Sequence, residues 1–219
     1  MDPISIGAII VLGLSIVGSY VYQKCRAEQR KTAEIEALSQ ALERYASQVA
    51  LEQVDRPIVE AVRRELASSC SPRLEEKVKD MDLAARREFF AGIVRNVARA
   101  MQVDIKSLSF GDLDAGHIGR CRNEGFDIHL TITDAVIMAD PRRAVYTICH
   151  ELRHAQQFKS FTDDRWGFSD RRKAQWLSEY VGTASAHASE SEAMFRAYRC
   201  QMIELDANNF ASAVTKNII

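Results

Sequence analysis

Histidine is scarce in this chain, with five among 219 residues. Cysteine also numbers five. The count is odd and the spacings are irregular, which excludes a disulfide framework and suits a reducing compartment. No internal repeat and no low-complexity tract is present, which excludes a solenoid or a disordered linker. The formal net charge is only −1, so no broad basic field exists to draw a nucleic acid. Arg63-Arg64, Arg86-Arg87 and Arg171-Arg172-Lys173 are interleaved with acids and read as solvated helix faces.

Charge is also missing where it matters most. From Ile4 to Tyr22, 19 consecutive positions carry none. As a helix this run would span about 28 Å, close to the hydrocarbon thickness of a bilayer. A cleaved signal peptide fits poorly, since Asp2 stands where a basic residue belongs and no A-x-A site follows. Lys24, Arg26, Arg30 and Lys31 follow against Glu28 alone. The positive-inside rule then puts the C-terminal body in the cytoplasm. Residues 1–23 are therefore expected to be a transmembrane anchor, 24–56 a charged helical arm, and 57–219 the main folded domain. Within the arm, Ile35, Leu38, Leu42, Tyr45 and Val49 repeat at helical spacing, a stripe suited to self-association or to packing on the body. Pro57 ends that helix, a second runs to about Ala67, and Ser68 to Pro72 reads as a turn or short linker.

Strand character appears only in the middle of the chain. Ile105–Phe110 and His117–Arg122 are short candidates. Phe126, Ile128, Leu130 and Ile132 alternate with Asp127, His129, Thr131 and Thr133, as in a half-buried strand. Leu83–Met101 reads as a helix with Phe89, Phe90, Ile93, Val94 and Val97 inward. The predicted fold class is α+β: mainly helical, with a small three-stranded sheet and the N-terminal transmembrane helix.

The strongest chemical signal is His150-Glu151-Leu152-Arg153-His154. Residues four apart share a helix face, so both imidazoles can grip one metal ion, while Glu151 reaches a metal-bound water as general base. Asp140-Pro141 supplies an N-cap and a first-turn proline. Val145, Ile148, Leu152 and Ala155 give one apolar face, with the two histidines off it. Arg153 must then point outward. Cys149 reads as a buried thiol. A catalytic zinc needs a third protein ligand and an open position. Gln157 and Ser160 stand where a metzincin carries glycine and histidine, which excludes that class. The better source is Glu204-Leu205-Asp206-Ala207-Asn208-Asn209-Phe210-Ala211 on a second helix. Glu204 and Asp206 both remain candidates, with Asp206 alternatively holding a histidine N–H; His187 is a weaker rival. Tyr198 could donate to an oxyanion or simply pack in the core.

The two motifs together resemble those of the zincin-like metallopeptidases, nearest to the ImmA/IrrE type, whose second pattern reads E-x-x-A-N-x-F-A. Glu204, Ala207, Asn208, Phe210 and Ala211 match it position by position. The resemblance spans roughly residues 85–215. It implies a gluzincin-type zinc site of His150, His154 and Glu204, with Glu151 as base, cleaving a protein or peptide substrate. Two departures stand out: no helix-turn-helix domain is evident, and Arg165–Glu192 looks like an insertion. In such folds a small sheet precedes the HExxH helix, and the 126–132 strand is expected nearest the cleft, pairing with an extended substrate. The alternative is a metal-binding interaction module at the membrane that does not cleave, or cleaves only with a partner. A zinc amidase or deaminase would use the same ligands.

Overall fold

In the computed structural model of the chain, residues 51, 53–70, 73–114, 117–183 and 202–216 are described. They belong to one compact unit of residues 48–188 and 201–219. The expected transmembrane segment, most of the arm, His187 and Tyr198 lie outside the described residues. Among the described residues no helix is long and apolar enough to cross a membrane.

The described elements are α1 (Asp55–Cys70), α2 (Leu74–Val78), α3 (Leu83–Ala100), β1 (Ser107–Phe110), β2 (Gly119–Glu124), β3 (Asp127–Ile132), α4 (Asp134–Ala139), α5 (Pro141–Ser160), α6 (Asp170–Thr183) and α7 (Met202–Thr215). The result is a mainly helical α+β unit with a three-stranded sheet, as the periodicities predict. Helix starts follow the local chemistry. Asp82 caps α3 by accepting from the Ala85 N–H at 2.8 Å. Asp140 caps α5 by accepting from Arg143 N–H at 2.9 Å, with Pro141 at the first helical position. The end of α3 turns sharply at Gln102, φ +57, where Val103 N–H bonds back to Ala98 O at 2.9 Å.

The sheet has the order β1-β3-β2. β3 runs parallel to β1 and antiparallel to β2. Gly125, φ +68, turns the two-residue hairpin between β2 and β3. Ile128, Leu130 and Ile132 face the core, and Asp127, His129 and Thr131 face out. The expectation that 126–132 lies nearest the cleft is corrected. β3 is the central strand, paired on both sides, and β2 is the strand against α5. Strand order depends on pairing between distant segments, which alternation within one segment does not encode.

Two further corrections concern α1. The helix runs through Ser68–Cys70 because Cys70 is buried in the core, so the turn begins later than predicted. It also starts at Asp55, before Pro57, which is tolerated in the first helical turn. Asp55, near the end of the expected 24–56 arm, is fully buried within the body.

The core lies between α1, α3, α5, α7 and the inner sheet face. Val62, Phe90, Val97, Leu130, Ile148, Leu152 and Phe210 are among its members. Phe90, Ile93, Val94 and Val97 are inward as predicted, and Phe89 packs at the margin. α5 runs through the middle of this body. Val145, Ile148, Leu152 and Ala155 are fully buried, but so are Arg153, Gln156 and Gln157. The helix is enclosed on nearly all sides, so a single apolar face describes only part of it.

Candidate metal centre

α5 carries His150 and His154 one turn apart, and α7 lies against it with Glu204 facing the same gap. The N-terminus of α7 is held by α6: Glu179 accepts from the Ile203 N–H at 2.9 Å. Burial pushes the Glu179 carboxyl above its ordinary range. The two imidazole Nε2 atoms are 3.0 Å apart. Glu204 spans them with both oxygens, Oε2 at 3.4 Å from His150 Nε2 and Oε1 at 3.2 Å from His154 Nε2. The three donor atoms lie within 4.8 Å of one another and could hold a metal ion. Tetrahedral ligands bound at 2.0–2.2 Å lie about 3.3–3.6 Å apart, so the observed spacing is close to that of a formed site. Two nitrogens and a carboxylate are also a donor set that divalent transition metals accept.

Electrostatics agree with the geometry. Burial alone would raise the Glu204 carboxyl, but the His154 charge and hydrogen bonds from both imidazoles hold it well below the usual carboxylate range. Burial works against a charged His154. Facing Glu204, with Glu151 nearby, outweighs that and raises its pKa to about 9.

Glu151 is buried beside the two histidines, on the β2 side of α5. Among the described residues none donates a hydrogen bond to its carboxylate. β2 approaches closely because position 119 is glycine. A Cβ there would lie 2.5 Å from Thr147 Cγ2, 2.9 Å from Glu151 Cγ and 3.1 Å from Glu151 Oε1. Any side chain at 119 would displace the strand, Thr147 or Glu151.

Arg153 does not point outward. It is fully buried and forms a charge cluster that joins three helices to α5. Its Nε donates to Asp206 Oδ2 at 2.7 Å, its Nη2 to Asp55 Oδ1 at 2.7 Å, and its Nη1 to Gln156 Oε1 at 2.6 Å. Arg172, predicted to be solvated, joins the cluster from α6 through Asp55 Oδ2 at 2.8 Å and through Asp206. The aromatic rings of Phe168, Trp176 and Phe210 pack around the Arg153 guanidinium. Two arginines thus balance two aspartates in a largely buried cluster. Arg86 also turns inward, donating to Ile137 O at 2.9 Å and Met138 O at 3.0 Å.

Asp206 therefore engages the cluster, and Glu204 faces the imidazoles. Burial would raise the Asp206 carboxyl, but the Arg153 charge outweighs it and holds the group low. Nor does Asp206 hold a histidine N–H directly. Gln157 stands between them, its Oε1 2.8 Å from His154 Nδ1 and its Nε2 donating to Asp206 Oδ2 at 2.7 Å. His129 is on the outer sheet face, 2.7 Å from Ser107 Oγ, and takes no part in the centre. Cys149 is fully buried, and burial pushes its thiol far up, as expected of an inert core group.

Sequence reasoning missed Gly119, Gln157 and Tyr146. Tyr146 lies one turn before His150, with ring centroids 6.5 Å apart, and its hydroxyl donates to Asn208 Oδ1 at 3.0 Å. Asn208 belongs to the second motif, one turn beyond Glu204, so the motif itself pointed to a partner for it. Gln157 was visible only as a departure from metzincins, and Gly119 only as one position of the 117–122 strand candidate.

No protein-family model matches the chain, and neither curated proteins nor solved structures give a match.

Proposed function

We infer that this chain is a zinc metallopeptidase that hydrolyses peptide bonds of a protein substrate at the cytoplasmic face of a membrane, anchored there by residues 4–22. One observation carries the reading: His150, His154 and Glu204 converge at ligand spacing beside a Glu151 carboxylate to which no described residue donates a hydrogen bond. Two imidazoles and one carboxylate form a donor set used by catalytic zinc, and they leave a coordination position open. Zinc bound there would supply Lewis acidity, lowering the pKa of a water and polarising the scissile carbonyl.

The chain's own residues account for the proton movements. Glu151 accepts the proton of the attacking water. It then delivers that proton to the leaving amide nitrogen as the C–N bond breaks. Gly119 brings β2 alongside Glu151. β2 pairs with β3 on one edge, and no described strand takes the other. An extended peptide adding there would lay its carbonyls past the site by main-chain hydrogen bonding. Anchoring suits a macromolecular substrate held near the membrane.

Metal analysis of the full-length Glu204→Ala variant tests the ligand set. Its zinc content should fall well below one per chain. Unchanged stoichiometry would remove Glu204 from the site and with it the proposed centre.

A further inference from the structure

Gln157 is the only described side chain that joins a proposed ligand to the charge cluster beneath it. Its amide orientation is fixed by two pure acceptors: Nε2 donates to Ile203 O at 3.0 Å and to Asp206 Oδ2 at 2.7 Å. Oε1 is thereby turned to His154 Nδ1 at 2.8 Å, where it can only accept. Nδ1 must then carry the hydrogen, which leaves Nε2 as the atom facing Glu204 and His150. Asp206 cannot swing away, because Arg153 and Arg172 hold both of its oxygens. The whole chain of contacts is buried.

We propose that Gln157 is a positioning residue for His154, holding the imidazole in the Nδ1–H form with Nε2 aimed at the metal, and that Asp206 locks the amide that does so. This rests on His154 being a metal ligand, as inferred above. In most metal sites a carboxylate, backbone carbonyl or water takes the histidine N–H directly. Here the carboxylate acts one step removed. Its negative charge stays compensated by arginine, and a neutral amide touches the ligand.

The neighbouring Gln156 supplies the control. It is equally buried, accepts from Arg153 and donates to Met101 O at 3.4 Å, but bonds to no ligand. Zinc alone is titrated into the full-length chain against a chromophoric chelator, for wild type, Gln157→Met and Gln156→Met. Gln157→Met should weaken zinc binding about 10–100-fold, and Gln156→Met should leave it unchanged while lowering thermal stability. In metal-free protein, nitrogen-edited NMR should show the His154 Nδ1–H proton protected from solvent exchange in wild type and Gln156→Met, and lost in Gln157→Met. Equal weakening by both variants, or zinc affinity in Gln157→Met within about threefold of wild type, would overturn the proposal. So would the absence of a protected Nδ1–H signal in wild type, which decides the matter even if Gln157→Met does not fold. If wild type bound no zinc, the metallopeptidase reading would fail, and the metal-free spectrum would still decide the role of Gln157.

Discussion

Replacing Arg153 with leucine should destabilise the protein severely, although the residue lies between two histidines where a solvated arginine was expected. The guanidinium makes four buried hydrogen bonds: two to Asp206, one to Asp55 and one to Gln156. Leucine would leave Arg172 as the one cation among the described residues that pairs with Asp55 and Asp206, two buried carboxylates against one positive charge. Breaking a buried ion pair by removing one partner costs about 3–5 kcal/mol, because the other charge is stranded. A domain's total stability is roughly 5–15 kcal/mol, so this is about a fifth of it or more. With a urea slope of about 2 kcal/mol per molar, the midpoint should fall by roughly 1.5–2.5 M. The double variant Arg153→Leu/Asp206→Leu separates this cause from simple loss of packing. It removes one charge of each sign, so its loss should be smaller than the sum of the single losses by at least about 1 kcal/mol. A single-variant loss under about 1 kcal/mol, or additivity within about 0.5 kcal/mol, would refute the buried-cluster argument.

Gly119→Ala should leave zinc stoichiometry intact but lower the turnover number about 100-fold, because relieving a 2.5 Å contact requires a shift of nearly 1 Å beside Glu151. Turnover within about threefold of wild type would show that strand and glutamate are not so tightly set. Cys70 is fully buried, and burial pushes its thiol up to about 11. The folded state then binds the thiol proton more tightly than the unfolded chain does. The associated stability is present below pH 9 and lost as pH rises to 11, up to about 2–3 kcal/mol. Urea unfolding of wild type against Cys70→Ala between pH 8 and 11 should show the steeper decline only in wild type, and parallel curves would count against it.

The parts of this fold written in local spacing were legible. Asp140-Pro141 starts α5, the alternation at 128, 130 and 132 builds β3, and the four-residue interval brings His150 and His154 together. Glu204 emerged from its motif because its near neighbours on α7 are motif residues too. What escaped was set by partners far along the chain. Arg153 meets Asp55 across 98 residues and Asp206 across 53, and Arg172 meets Asp55 across 117. A charged residue reads as solvated until its counter-charges are placed, and helical periodicity cannot place them. The central position of β3 has the same origin, since pairing partners decide which strand is an edge. Gly119 carried no signal of its role because close approach to a helix leaves no mark on the strand itself.

The most direct measurement compares protein fragments from cells producing the full-length wild type with those from cells producing Glu151→Gln, alongside the zinc content of both purified proteins. Glutamine keeps the shape of the side chain but cannot take a proton from water. The metallopeptidase reading predicts equal zinc, near one per chain, with a set of fragments that appears only with wild type. Identical fragments from the two proteins, each with zinc bound, would contradict it and favour a metal-binding module that does not cleave.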